Sequence, residues 1–271
     1  MKDQPSSSPQ SFHSPWRGLY RAVRAWRLLD HRCAACGLPA PSRRFCAGCS
    51  NDFLDRGPGC RLCGTPVHRA GMICGRCLAT TRAWSQYWFV QDYQGPWAEL
   101  IRRFKYQAQL SLAPPLAALL ARQLKGEGAA DSLQQEGWQV TAMPMHWRRR
   151  QTRGFNQAAE LARLVALDLG LGYRQPLYRH QDTPALEDLT RAERRRAVRY
   201  AFGCELVSGR WLLVDDVFTT GASVTAAAEA LKRSGAREVA LATLARTPIS
   251  ADSHHNWMRA VFDGTPGAED H

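Results

Sequence analysis

The residues best suited to chemistry lie in one stretch, Trp211–Val224, where two acids precede a short run of small and hydroxyl residues. Four apolar residues at its start predict a buried parallel strand. Asp215 and Asp216 would then lie at the carboxyl edge of a sheet, where open α/β sheets bind ligands. The turn Thr219–Ser223 leads into a predicted helix over residues 225–234, and the free N–H groups of a helix start favour a phosphate. A ribose phosphate fits this order, because its hydroxyls would face the acids while its 5′-phosphate lies in the turn.

The turn has the side chains that a phosphate cradle needs. A glycine lets the backbone approach the ligand closely, and three hydroxyls can donate to phosphate oxygens. We therefore predict phosphate binding by Thr219, Thr220, Gly221, Ala222 and Ser223. The alternative is an ordinary βα turn beside a solvated acidic pair.

The segment Val214–Ser223 resembles the motif with which type I phosphoribosyltransferases bind PRPP, 5-phosphoribosyl-1-diphosphate. The resemblance implies an α/β fold, with a parallel sheet flanked by helices. It implies that Asp215 and Asp216 are the catalytic pair, holding the ribose hydroxyls directly or through Mg²⁺, an ion that suits phosphate and other hard oxygens. Catalysis would consist of positioning and of neutralising the departing diphosphate. Some purine-using relatives have an aspartate base in the place of Thr219, so a close copy of that chemistry is not expected.

Arginines cluster in the loop His146–Gln157. The loop follows a strand predicted over residues 138–145, the expected first strand of the sheet, and precedes a helix predicted over residues 158–169. It would therefore share the carboxyl edge with the acids. Arginine offers planar, bidentate donors to phosphate oxygens, so the loop is interpreted as a diphosphate clamp formed by Arg148, Arg150 and Arg153. A basic surface loop is the alternative.

Eight of the nine cysteines fall into four Cys-x-x-Cys pairs, a pattern that predicts metal binding rather than disulfides. Two such pairs provide the four thiolates of a tetrahedral zinc site, and four protein ligands leave no position for a substrate. We therefore expect two structural Zn²⁺ ions in an internal duplication that resembles a double zinc ribbon. The spacing leaves open whether the pairs combine in sequence or interleave. The predicted ligands are Cys33, Cys36, Cys46, Cys49, Cys60, Cys63, Cys74 and Cys77.

A narrower resemblance covers roughly residues 30–247. The cysteine pairs, Phe104-Lys105-Tyr106, Pro144-Met145-His146, Arg153–Gln157 and the Asp-Asp motif occur in the order typical of the ComF family, which includes the GntX proteins. The resemblance places the arginine loop at the family's diphosphate loop, and it implies a part in competence and DNA uptake. The family often has Gln and Asn where this chain has Leu186 and Ala197, and this weakens any functional inference for that segment.

The net charge of +12, from 36 basic and 24 acidic residues, favours polyanionic partners such as single-stranded DNA, although solubility alone is the alternative. A basic run over residues 189–196 would contact diphosphate or nucleic acid, or form a solvated helix. The aromatic residues of segment 84–93 could stack on bases. Core packing is the favoured interpretation for that segment.

Four regions are expected. Residues 1–30 form a disordered N-terminus with a basic amphipathic helix, 31–80 the double zinc ribbon, 83–248 the phosphoribosyltransferase-like domain and 249–271 a flexible tail. Residues 126–137 are expected to be a loop. No apolar run is long enough to span a membrane and no signal peptide is recognisable, so a cytoplasmic protein is expected.

Two functions from different classes follow. In the first, the chain is a PRPP-binding protein that handles single-stranded DNA during uptake and utilisation. In the second, it is an active transferase that joins PRPP to a nitrogenous acceptor and releases diphosphate. A fold that has lost catalysis and acts as a scaffold is a third possibility. The sequence leaves catalytic activity and oligomeric state open.

Overall fold

The computed structural model describes residues 32–40, 45–147, 151, 154–180 and 201–248, which contain seven strands, seven α-helices and a 3₁₀ helix, Leu110–Leu112. The strands are β1 (Tyr87–Asp92), β2 (Gln139–Ala142), β3 (Gly172–Tyr173), β4 (Leu177–Arg179), β5 (Phe202–Cys204), β6 (Arg210–Phe218) and β7 (Glu238–Arg246). The helices are α1 (Ala47–Leu54), α2 (Gly75–Leu78), α3 (Gly95–Tyr106), α4 (Ala113–Gly126), α5 (Ala129–Gln135), α6 (Gln157–Leu169) and α7 (Ala222–Arg233).

Five strands form one parallel sheet in the order β1-β7-β6-β2-β3, and β4 pairs antiparallel with β5. The apolar start of β6, Trp211–Val214, is at most 1% exposed, as expected for a strand covered on both faces. Helices α6 and α4 pack against each other, with α6 on β2 and β6, while α7 packs on β5 and β7. The α/β class predicted from the sequence is therefore confirmed.

Two expectations about the elements are wrong. The first strand of the sheet along the chain is β1, which pairs with β7, and not the strand at residues 138–145. The segment 126–137 is not simply a loop, because it contains α5. Ala130 and Leu133 of that short helix are buried, so tertiary packing stabilises a segment whose local composition favours a turn.

The outer edge of β1 is covered by the cysteine-rich region. Tyr87 N donates to Arg61 O at 2.8 Å, and Arg56 Nε donates to Phe89 O at 3.1 Å. An uncovered edge strand would leave such groups free to pair with another chain, so this packing protects the sheet. The aromatic side chains here are buried, which confirms the core-packing interpretation: Trp84 3%, Tyr87 5%, Trp88 6% and Phe89 3% exposed.

Four predicted features lie outside the described residues: the N-terminal helix, the arginines Arg148, Arg150 and Arg153, the basic run over residues 189–196, and the C-terminal tail. Within the described ranges, no helix has the length and apolarity needed to cross a bilayer.

Candidate functional site

The two acids lie inside β6 rather than after it, because the strand continues to Phe218. Successive side chains of a strand point to opposite faces, and burial along β6 alternates accordingly: Asp215 is partly exposed and Asp216 is buried. Asp215 Oδ1 accepts a hydrogen bond from Asp216 N at 2.8 Å. The pair is thus divided between two environments near the carboxyl edge of the central strand.

Asp216 has a cationic partner that sequence reasoning did not assign to the site. Lys105 Nζ, in the last turn of α3, lies 2.9 Å from Asp216 Oδ1, and the two side chains are 18% and 12% exposed. Burial acts to lower the pKa of Lys105, but the charge of Asp216 and the hydrogen bond to it outweigh burial, so the net direction is upward. The sequence does indicate that Lys105 faces the protein interior, because it follows Trp97 and Ile101 at four-residue spacing on the apolar face of α3.

The surroundings of Asp215 raise the pKa of its carboxyl group. Although the residue is partly exposed, desolvation by the protein atoms around it, and secondly the neighbouring Asp216 charge, raise this pKa to about 7 from the ordinary value of 3.8. Lys105, the backbone N–H of Asp216 and Arg179 of β4 act in the opposite direction without cancelling the rise. A pKa shifted this far from the ordinary value is common at functional sites, where burial and like charges are combined.

The predicted phosphate turn joins β6 to α7. Gly221 has φ of +79°, and the helix begins at Ala222, three residues earlier than expected. The N-cap residue, Gly221, makes no side-chain capping bond, and the N–H of Ala222 donates to Thr220 Oγ1 at 3.4 Å. The other N–H groups of the first turn have no side-chain cap among the described residues. Thr219, Thr220, Ala222 and Ser223 are exposed while Gly221 is buried, which leaves the hydroxyls accessible to a ligand.

Both ends of the arginine loop lie at the same edge as the acids. Met143 N donates to Val214 O of β6 at 2.8 Å, directly before Asp215. At the other end, Asn156 accepts from Ala158 N to cap α6 and donates its amide to Met143 O at 3.1 Å. The loop that contains Arg148, Arg150 and Arg153 therefore starts and finishes beside the central strand.

The eight predicted zinc ligands form two groups, and the pairs combine in sequence. Cys33, Cys36, Cys46 and Cys49 form one, and Cys60, Cys63, Cys74 and Cys77 form the other, with all ligand atoms of a group within 4.8 Å of one another. Sulfurs bound to a tetrahedral Zn²⁺ at about 2.3 Å lie roughly 3.8 Å apart. The distances of 3.7 Å between Cys36 and Cys46 Sγ and 3.6 Å between Cys63 and Cys74 Sγ fit this geometry. Both groups fit structural zinc.

The two zinc sites differ in their surroundings. In the second site the backbone N–H of Cys74 donates to Cys60 Sγ at 3.3 Å, and Arg82 Nη2 donates to Cys77 Sγ at 3.7 Å. Hydrogen bonds with Cys60 and then Cys63 raise the pKa of the Cys77 thiol. In the first site Cys36 is exposed. The second site is therefore more enclosed, and the N–H groups of Cys74 and Arg82 would stabilise negative charge on its sulfurs.

A cleft of about 940 Å³ lies between the second ribbon and the amino ends of the strands, away from the acids. Its charged side chains are largely paired within the protein. Arg56 Nη2 lies 2.7 Å from Glu127 Oε1, and Arg210 Nε lies 3.3 Å from Glu238 Oε2. The cleft therefore offers an anion few unpaired groups, and the candidate ligand site remains the carboxyl edge.

Two family models match the chain. Residues 26–78 match the double zinc ribbon domain, and residues 205–267 match the phosphoribosyl transferase domain. The second match contains the acids, the turn and β7, and the first contains all eight clustered cysteines.

Curated relatives match most of the chain. DNA utilization protein YhgH of Salmonella typhimurium is 32% identical over 220 residues, which are 79% of this chain and 96% of the relative. The protein of that name from Escherichia coli strain K12 is 31% identical with the same coverage. Competence protein F of Haemophilus influenzae is 28% identical over 227 residues, 81% of this chain and 98% of the relative.

A solved structure of glutamine PRPP amidotransferase from B. subtilis aligns with a TM-score of 0.37 and 18% identity, covering 53% of this chain and 30% of that one. A TM-score this low supports no conclusion about the fold, which follows from the strand order of the chain itself. The relatives and the two domain matches point to one family.

Proposed function

The chain belongs to the ComF family, and from that premise we propose that it binds PRPP and serves DNA uptake and utilisation by handling single-stranded DNA. The observation that carries the PRPP part is the juxtaposition of the acids Asp215 and Asp216 with a helix start, four residues beyond β6, whose N-cap is a glycine. A ribose 5-phosphate has hydroxyls at one end and a dianion at the other, and this arrangement is complementary to both.

Each part of the site has a role in the proposal. The carboxylates accept hydrogen bonds from the ribose hydroxyls, and the N–H groups and hydroxyls of Thr219–Ser223 bind the 5′-phosphate. The arginine loop, anchored at Met143 and Asn156, supplies cations to the diphosphate. Bound Mg²⁺ would neutralise diphosphate charge, and the hard oxygens of the ligand suit it.

The DNA part of the proposal is supported by the relatives' names and by charge. Two relatives are named for DNA utilization and one for competence. The net charge of +12 favours binding to a phosphate backbone, and counterion release makes such binding strongly salt-dependent. The same names favour DNA utilisation over a role in small-molecule metabolism.

Calorimetry with PRPP and Mg²⁺ tests the site. We expect wild-type binding to weaken about 10- to 100-fold in Asp215→Asn and in Asp216→Asn, because hydrogen bonds to charged groups contribute roughly 1.5–3 kcal/mol. Asp131→Asn, an exposed acid on α5, is the matched control and should bind like wild type. Absence of binding by the wild-type protein would refute the PRPP proposal.

Fluorescence anisotropy with a labelled single-stranded oligonucleotide tests the DNA proposal separately. Affinity should fall by orders of magnitude between low and physiological salt. A salt-independent or undetectable interaction would argue against it. Acceptor-dependent release of diphosphate would instead support the active transferase, the alternative function.

A further inference from the structure

The ion pair between Lys105 and Asp216 connects two elements that are distant in sequence. Lys105 Nζ lies 2.9 Å from Asp216 Oδ1 across the junction of α3 and β6. Within the described part of the chain, the other carboxylate oxygen of Asp216 makes no hydrogen bond or ion pair. Among the described residues, one oxygen is therefore engaged by Lys105 and the other has no protein partner that would compete with a ligand.

Stability alone is a poor explanation for a lysine at this position. Removing two charges from water is costly, and a buried ion pair is often no more stabilising than apolar residues of the same size. Lys105 follows Trp97 and Ile101 at four-residue spacing on the buried side of α3, where an apolar residue would be ordinary. An ammonium group there is best explained by the carboxylate that it holds.

The backbone of Lys105 is also held in place by the start of α6. Gln157 Nε2 donates to Lys105 O at 2.8 Å. Gln157 is 1% exposed and is the first residue of α6, immediately after the arginine loop. The end of α3 and the start of α6 are thus locked together beside Asp216.

We propose that Lys105 is a positioning residue of the ribose subsite, a role that rests on the proposed PRPP function. Its ammonium holds Asp216 Oδ1, so that Oδ2 is oriented to accept a ribose hydroxyl. Arg179 of β4 acts on Asp215 in the same direction as Lys105, so both cations favour the ionised form of that acid.

The test compares three ligands, PRPP with Mg²⁺, ribose 5-phosphate and inorganic diphosphate, by calorimetry. Lys105→Met should weaken the binding of PRPP and of ribose 5-phosphate about tenfold or more, because the charge-assisted hydrogen bond that holds Asp216 is lost. Binding of inorganic diphosphate, which has no ribose, should change less than about twofold. Lys105→Arg should recover most of the ribose-dependent affinity, since it restores a donor cation.

Arg102→Met is the matched control, because Arg102 is on the same helix but is exposed and pairs with Glu99 rather than with either acid of the site. It should leave all three affinities unchanged. Lys105→Gln serves as a second variant if the methionine variant does not fold.

The outcomes separate the two proposals. Wild-type protein that binds neither PRPP nor ribose 5-phosphate overturns the proposed function and this role with it. Wild-type binding of both, with unchanged affinities in Lys105→Met, overturns the role of Lys105 alone. An equal loss for all three ligands also overturns it, because a general structural defect does not distinguish ribose from diphosphate.

Discussion

The ring of Phe218 lies so close to Gly221 that a Cβ built on the glycine would come within 2.9 Å of Phe218 Cζ. Phe218 packs in turn against Tyr87 and Trp84, with ring centroids 4.9 Å and 6.1 Å away. Trp84 Nε1 donates to Leu62 O of the second zinc ribbon at 2.9 Å. A continuous series of contacts therefore connects the phosphate turn to a zinc site.

The first prediction concerns Gly221→Ala. A side chain there meets the Phe218 ring and must also adopt a φ of +79°, so the turn should be displaced. We expect PRPP affinity to fall about 100-fold, the usual order for an ångström-scale displacement of a positioning group. Gly209→Ala is the control, because Gly209 has a φ of +76° but open space at Cβ. This control should lower the free energy of unfolding by the cost of left-handed strain alone, about 1–2 kcal/mol, and leave PRPP affinity unchanged. Equal affinities in the two variants would contradict the importance of the ring contact.

The second prediction concerns zinc removal. Cys60→Ser should release the more enclosed ion, lower the thermal midpoint and weaken PRPP binding, because the second ribbon is bonded to β1 and contacts Trp84. The loss of stability should be on the order of several kcal/mol, as expected where metal binding contributes to folding. Zinc content, measured with a chromogenic chelator, and thermal unfolding provide the readouts.

Two controls accompany this variant. Cys36→Ser should also lose zinc but affect the sheet less, since Cys36 is exposed. Cys204→Ser, at the ninth cysteine outside both clusters, should retain both ions. If Cys36→Ser proved more damaging than Cys60→Ser, the proposed link between the second ribbon and the sheet would be wrong.

The third prediction is a pH dependence of stability. Because the pKa of Asp215 is raised to about 7 in the folded protein from 3.8, the folded state holds more protons than the unfolded state between these values. Stability from this group is therefore present at low pH and is lost as pH rises from about 4 to about 7. Asp215→Asn should be more stable than wild type at pH 8, and this part of the pH dependence should disappear.

Urea unfolding at pH 5 and pH 8 measures this effect, with Asp131→Asn as the control that keeps the wild-type slope. Burial and the Asp216 charge raise the pKa of Asp215, while Lys105 and Arg179 oppose the rise. An Asp215→Asn protein with unchanged pH dependence would show that Asp215 ionises as an ordinary aspartate.

The fourth prediction concerns Arg246 at the end of β7. Its Nε and Nη2 donate to Asp92 Oδ1 at 2.9 Å and 2.6 Å, and the side chains are 4% and 23% exposed. Asp92→Asn should destabilise the protein by about 2–4 kcal/mol in urea unfolding, because a buried guanidinium loses its counter-ion. Glu99→Gln is the control: it removes the exposed ion pair with Arg102 and should lower the free energy of unfolding by less than about 1 kcal/mol. Similar costs for both variants would mean that the Arg246 pair is effectively solvated.

Much of the fold was predictable from local patterns, and the errors of the sequence-based prediction have physical causes. Four apolar residues preceding Asp215 predicted a central strand, and helix α6 begins one residue before its predicted start. The helix α5 was missed because seven residues with two buried side chains give too little periodicity to identify. The strand end after Asp216 was missed because the acids were treated as strand terminators, although β6 pairs with β7 as far as Phe218.

The sequence by itself determined the chemistry that is encoded in consecutive residues. The order of acids, hydroxyls and glycine from Asp215 to Ser223 predicts a ligand type, and four Cys-x-x-Cys pairs predict a metal, because residue types and short spacings suffice for both predictions. Only the tertiary structure decided how the cysteine pairs combine, how the cysteine-rich region covers β1, and that Lys105 meets Asp216. These relationships join residues that are far apart along the chain, so the packing of helices and strands brings them together and no local pattern contains that information.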